Sequence, residues 1–173
     1  RAGIAAALAA KPCGWEDATL AIGTTDTFTK GAGAAAMVGG AQVQLAGIIK
    51  GSGMIAPDMA TMLGYIFTDA DVAPAFLQEA LERANAATFS CITVDGDTST
   101  SDTVLLFATG KAGNATKGLR ADDTGLKAFS KALNGLCMDL AHQVAKDGEG
   151  AEKFIEIAIT GAENDKAAHR IAM

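Results

Sequence analysis

Leu126, Phe129, Leu133, Cys137, Leu140 and Val144 recur at the spacing of one helix face, and this stripe constrains the fold more than any other stretch. It predicts the longest helix of the chain, capped by Asp122 or Asp123 and ended by Asp147-Gly148-Glu149-Gly150. A helix with one apolar face needs a second layer to bury it. Residues 34–38 and 42–49 flank Gly39-Gly40 and predict a β-hairpin that can supply one. Apolar runs at 62–67, 89–94, 103–108 and 154–160 predict further strands, the second and third joined through residues 95–102.

Shorter helices complete the pattern. An alanine-rich run over 1–10 is stopped by Pro12 and Gly14, and 15–22 forms a second helical segment that Gly23 ends. Asp69 or Asp71 is positioned to cap a helix with Pro74 in its first turn, where Phe76, Leu77, Ala80, Leu81 and Ala84 make an apolar stripe. Residues 163–173 are again helix-like. Hairpin-linked strands beside amphipathic helices give a mixed α/β protein and not a simple βαβ repeat.

Composition narrows the functional classes. With 49% hydrophobic and 20% charged residues, a chain of 173 suits one packed domain and not a disordered one. A net charge of −6 argues against a nucleic-acid partner. Cys13, Cys91 and Cys137 are odd in number, far apart and lack metal-ligand spacing, which fits buried thiols in a reducing, cytoplasmic compartment better than a disulfide framework. No apolar run approaches the length of a membrane span. Arg1 at the start and Met173 inside a helix-like run read as the ends of an internal piece of a longer protein.

Two apparent motifs fail on their context. Gly31-Ala32-Gly33-Ala34-Ala35-Ala36 imitates a dinucleotide-binding fingerprint, but no strand precedes it and no convincing crossover helix follows. The loop from Asp95 to Asp102 opens like a calcium loop, yet Thr100 and Leu106 stand where glycine and glutamate are needed. His142 and His169 have no ligand partners at metal spacing, so no metal is expected.

The stretch that suggests chemistry is Lys50-Gly51-Ser52-Gly53-Met54-Ile55-Ala56-Pro57-Asp58-Met59-Ala60-Thr61-Met62-Leu63-Gly64. A lysine and two glycines lead, through Pro57 and the small Ala60, to a threonine at the mouth of an apolar strand. Cleavage before Thr61 would give it an α-amine that titrates near neutrality and can take the Oγ proton. Thr24-Thr25-Asp26-Thr27 is a polar loop whose ordinary reading is a self-bonded turn. Glu149 sits in a glycine-bounded loop, where a carboxylate ordinarily faces solvent.

Lys-Gly-Ser-Gly-Met-Ile followed by Pro-Asp-Met-Ala-Thr-Met-Leu resembles the glutamate N-acetyltransferase (ornithine acetyltransferase) family of arginine biosynthesis. Thr24-Thr25-Asp26-Thr27-Phe28, Ile92-Thr93-Val94-Asp95-Gly96-Asp97-Thr98-Ser99-Thr100 and Asp147-Gly148-Glu149-Gly150-Ala151 match the same family in order, so the resemblance covers essentially the whole chain. It implies helices packed outside two β-sheets, similar in layering to the amine-terminal-nucleophile hydrolases but of separate topology. It also implies self-cleavage between Ala60 and Thr61 into 1–60 and 61–173, with pairing of the two products in an oligomer. Thr61 would then carry acetyl from N-acetylornithine to glutamate, with Lys50 acting electrostatically. Thr24 (Thr25 if the register is shifted), Lys50, Thr61 and Glu149 would contact substrate. No cofactor is implied, although acetyl-coenzyme A serves some members as a co-substrate. The family's Thr-Gly oxyanion pair lies upstream of this chain, and a segment that helps enclose the substrate lies downstream. The rival readings are an autoprocessing hydrolase or aminopeptidase whose acyl-threonine is released by water, an inactive fragment, and, least favoured, a metal-binding module.

Overall fold

The computed structural model describes residues 2–52, 61–94, 101–115 and 124–173. Its frame is a four-stranded sheet of β1 (Lys30–Val38), β2 (Ala41–Lys50), β3 (Leu63–Thr68) and β4 (Thr103–Ala108), in that order across the sheet. The first three run antiparallel to their neighbours and β4 runs parallel to β3. Gly39 and Gly40, at φ +53° and +84°, make the two-residue turn of the β1–β2 hairpin, which needs positive φ at both positions. The glycine-alanine run that imitates a dinucleotide fingerprint is part of β1.

The described residues include five helices, α1 (Ala2–Ala9), α2 (Trp15–Ile22), α3 (Pro74–Ala87), α4 (Thr124–Lys146) and α5 (Asp165–Ala172), of which α2 and α4 pack against the sheet. The expected stripe of α4 is fully buried, joined by Leu136 and Ala141. It packs on the face of the sheet that carries Val43, Leu45, Ile49 and Ile66. Gly47 is the point of closest approach, since a Cβ there would lie 3.0 Å from Leu140 Cδ1 and 3.1 Å from Leu136 Cδ2. α3 provides the right-of-way from β3 to the parallel β4 and packs against α4, with Phe76 tilted against Phe129 at 5.8 Å. Strand alternation puts Phe67 on the opposite face, where Trp15 of α2 meets it at 5.5 Å and Phe107 stacks on it at 5.1 Å.

Three local expectations are corrected. Residues 89–94 do not form a strand. Phe89–Cys91 is a 3₁₀ turn closing α3, held by Thr88 Oγ1 on the Ala84 carbonyl and Cys91 N–H on the Thr88 carbonyl. Residues 154–160 have no regular structure, and Phe154, Ile155 and Ile157 are exposed, because no described strand pairs with them. Neither Asp69 nor Asp71 caps α3, whose N-cap is Ala73 with Pro74 at the first helical position. Asp69 instead accepts the Gln44 N–H, and the Asp71 N–H donates to Asn114. The expected cap at Asp122 or Asp123, the calcium-like stretch 95–100, and Ala60 lie outside the described residues. Among the described residues no helix is long and apolar enough to cross a membrane.

Candidate functional site

The site grows from the end of β2. Strand alternation sends Ile49 toward α4 and Lys50 to the other face, the one α2 packs against. Lys50 is only 5% exposed, although a lysine ending a strand is ordinarily solvated. Its ammonium donates to the Thr24 hydroxyl, 3.4 Å from Nζ, and no carboxylate among the described residues pairs with it. Gly23, as C-cap, ends α2 and releases the chain into the Thr24 loop just above that ammonium. Thr24 thus lies beside Lys50, while Thr25 shares a 2.6 Å hydrogen bond with Ser52 Oγ.

The register of the ladder brings Thr61 into the same region. Lys50 pairs with Leu63, two residues after Thr61. Beyond the ladder, a Cβ built on Gly51 would lie 3.5 Å from Met62 Cβ, so the two segments stay adjacent toward Thr61. Thr61 is half-buried. The next residue is fixed on both sides of its backbone: the Met62 N–H donates to Asp102 Oδ1 at 2.8 Å, and its carbonyl accepts the Thr103 N–H at 3.0 Å. Glu149 arrives from the far end of α4, and its N–H donates to the Ser52 carbonyl at 2.6 Å. Its side chain is exposed, and none of the described residues bonds its carboxylate.

Under this surface lies a buried charged cluster that the sequence reading missed. Lys30, fully buried, projects to the α4 side of β1 and pairs with Asp26 at 2.6 Å and with Asp147. Phe28 covers the ammonium, with its ring centroid 4.8 Å away. Asp26 Oδ1 also accepts the Gly51 N–H at 2.8 Å, and Oδ2 accepts the Thr24 N–H at 3.1 Å. Burial pushes the Asp26 carboxyl up, but the Lys30, Gly51 and Thr24 hydrogen bonds and the Lys30 charge outweigh it and hold the group below the usual carboxylate range. Asp147 accepts from both the N–H and the hydroxyl of Thr27. Its signal in the sequence was indirect: Asp26 and Asp147 each sit inside a motif that carries a candidate site residue, and Lys30 follows Asp26 by one helical repeat.

Chemically, the arrangement offers a buried cation and an exposed carboxylate, neither with an ion-pair partner among the described residues, and a threonine at the mouth of a neighbouring strand. One cation and one carboxylate suit a ligand that carries both charge signs. The other conspicuous side chains are elsewhere. Of the three cysteines expected to be buried, Cys13 and Cys91 are exposed, and Cys137 alone is packed in the core, where burial pushes its thiol up to about 12. His142 lies edge-on to Phe154, and His169 bonds the Ser90 carbonyl at 3.0 Å. A cavity of about 680 Å³ between α3 and the start of β4 is lined by Met62, Leu81, Glu82, Asp102 and Thr103, and borders the strand behind Thr61.

Known proteins match this chain closely. The ArgJ family matches over residues 1–173. The arginine biosynthesis bifunctional protein ArgJ of Zymomonas mobilis is 55% identical over 171 residues, which is 99% of this chain and 42% of that protein. The protein of the same name from Caulobacter vibrioides is 56% identical over 158 residues, covering 91% of this chain and 39% of its own. The crystal structure of arginine biosynthesis bifunctional protein argJ from Bacillus halodurans superposes with a TM-score of 0.56 at 48% identity, over 60% of this chain and 47% of that one. The chain spans about two fifths of the length of these curated relatives.

Proposed function

Because the chain belongs to the ArgJ family, we propose that it is the part of an arginine-biosynthetic acetyltransferase that holds the nucleophile and most of the amino-acid site. In this reading Thr61 Oγ first attacks the Ala60 carbonyl. The C–N bond breaks as the acyl group moves to Oγ, which turns the amide into an ester and frees the α-amine, and water then hydrolyses the ester to an Ala60 carboxylate and the Thr61 hydroxyl. That amine then takes the Oγ proton while Oγ attacks the acetyl carbonyl of N-acetylornithine. Ornithine leaves with a proton on its amine, and the acetyl group remains as an ester on Thr61. The α-amine of glutamate attacks this ester, N-acetylglutamate departs and Thr61 is regenerated. The acetyl group travels on the protein, so the exchange needs no cofactor, and acetyl-coenzyme A is an alternative donor only. The products of cleavage, 1–60 and 61–173 with the remainder of the protein, stay paired.

The observation that carries this reading is Lys50. Among the described residues this buried ammonium has a hydroxyl partner and no carboxylate, and it stands across the ladder from the strand that Thr61 opens. A buried charge left without a counter-charge is costly unless an anion completes it, either a substrate carboxylate or a developing oxyanion. The exposed Glu149 would pair an amine of the donor, and Thr24 would add a hydroxyl contact. Incubating the full-length protein with N-acetylornithine, with and without glutamate, tests the reaction. Formation of N-acetylglutamate that depends on glutamate is the expected result. Release of free acetate at the same rate without glutamate would favour a hydrolase instead. Intact mass of the same sample reads the cleavage, which should leave one product beginning Thr-Met-Leu-Gly.

A further inference from the structure

Asp26 and Asp147 both bond to Lys30, and the three join the Thr24 loop, the end of β2 at Lys50 and the loop that carries Glu149. Asp26 accepts the N–H of Thr24 and the N–H of Gly51, the residue after Lys50. Asp147 accepts the Thr27 N–H and hydroxyl from the same loop, and lies two residues before Glu149. Lys30 binds both carboxylates with one ammonium. The Glu149 N–H then closes the ring on Ser52. We propose that this three-charge clasp sets the distance between the Thr24 loop, Lys50 and the Glu149 loop, making Asp26, Lys30 and Asp147 positioning residues for the amino-acid site. The inference deepens the acetyltransferase reading and rests on it.

Stability alone does not account for the arrangement. A buried ion pair typically adds little net stability over apolar residues of similar volume, so burying three charges is a poor way to fill space. What the charges supply is direction. Each carboxylate is aimed at backbone N–H groups of the loops that flank the site, and hydrogen bonds to ionised groups are short and strongly oriented. The cluster also joins segments far apart in sequence, since Lys30 and Asp147 are separated by 117 residues. All of the bonds lie at the end of the sheet where Lys50 emerges.

The test uses the full-length protein. Asp147→Asn keeps the shape and removes the charge, whereas Lys30→Met combined with Asp26→Asn and Asp147→Asn removes all three charges together. Positioning predicts that Asp147→Asn raises KM for N-acetylornithine by roughly tenfold or more while kcat stays within about threefold. In the triple variant the melting temperature should return toward wild type while KM stays raised. Recovery of KM together with melting temperature would overturn the proposal, because the cluster would then act only through stability. So would a KM within about twofold of wild type in folded Asp147→Asn, or failure of both variants and of Asp26→Asn to fold. If the wild-type protein transfers no acetyl group, the acetyltransferase reading falls and the clasp is read by amide hydrogen exchange. Asp147→Asn should then speed exchange at Thr27 and Glu149 by roughly tenfold or more while the core of α4 keeps its protection. Unchanged exchange at those two amides would refute the clasp by itself.

Discussion

Replacing Lys50 by methionine should move stability and activity in opposite directions. The ammonium is 5% exposed, and its hydroxyl partner lies at 3.4 Å, long for a hydrogen bond. Burial of an ion costs several kcal/mol, and apolar replacement of buried charges is often neutral or stabilising by about 1–4 kcal/mol. Thr24 offsets part of this, since a good hydrogen bond to a charged group contributes about 1.5–3 kcal/mol and this one is stretched. The expected balance for Lys50→Met is therefore a gain of about 1 kcal/mol. On the activity side, a fixed cation facing a developing oxyanion is comparable to one oxyanion donor, about 3 kcal/mol. That corresponds to a fall in kcat/KM of roughly two orders of magnitude. Urea unfolding of the full-length protein reads the first quantity, and initial rates of acetyl transfer to glutamate read the second. Lys50→Arg keeps the charge and should retain more activity than Lys50→Met. A loss of more than about 1 kcal/mol of stability with unchanged kcat/KM would refute the reasoning, because Lys50 would then be a paired structural cation.

Thr61→Ala removes the nucleophile of both proposed steps, so full-length protein should remain uncut by mass spectrometry and transfer no acetyl group. Transfer near the wild-type rate would exclude Thr61. Glu149→Gln should raise KM for N-acetylornithine roughly tenfold or more while leaving self-cleavage intact, since a charged partner contributes about 1.5–3 kcal/mol. Lost cleavage with unchanged KM would make Glu149 a support of the nucleophile. Gly39→Ala should cost roughly 2 kcal/mol more than Gly40→Ala in thermal or urea unfolding. The Cβ at Gly39 would lie 2.2 Å from the Ala115 carbonyl oxygen, whereas the one at Gly40 meets nothing within 4 Å. Equal losses would mean that the Ala115 segment yields. Cys137 favours its neutral form in the fold, so its contribution is complete below the ordinary thiol range and is lost as pH rises toward about 12. Over that interval wild type should lose up to about 4 kcal/mol more than Cys137→Ala, and parallel stability-versus-pH curves would contradict the shift.

Periodicity and turn chemistry made the α4 stripe, the α3 stripe and the Gly39-Gly40 hairpin legible, because each depends on residues only a few positions apart. The same local rules misread 154–160. Phe154, Ile155 and Ile157 are strand-forming residues, but a strand exists only with a partner edge, and no described strand provides one. The parallel course of β4 was hidden for a similar reason: the short 89–94 run looked like its hairpin partner and is instead a turn closing α3. At the site, Lys50 and Thr61 stood out by their place in an unusual stretch, whereas Thr24 and Glu149 were singled out only by the family resemblance of their motifs. They did not show that Lys50 would be buried or that Glu149 would bond back to Ser52. Lys30 illustrates the limit most clearly. Beside a glycine-rich strand it reads as a solvated end, and only closure of the chain brings Asp147 onto it from 117 residues away. Sequence determines which face a side chain takes, because the repeats of helix and strand are fixed by backbone geometry. Which charges meet there was decided by the tertiary structure, since removal from water makes a lysine seek its carboxylates wherever the fold has carried them.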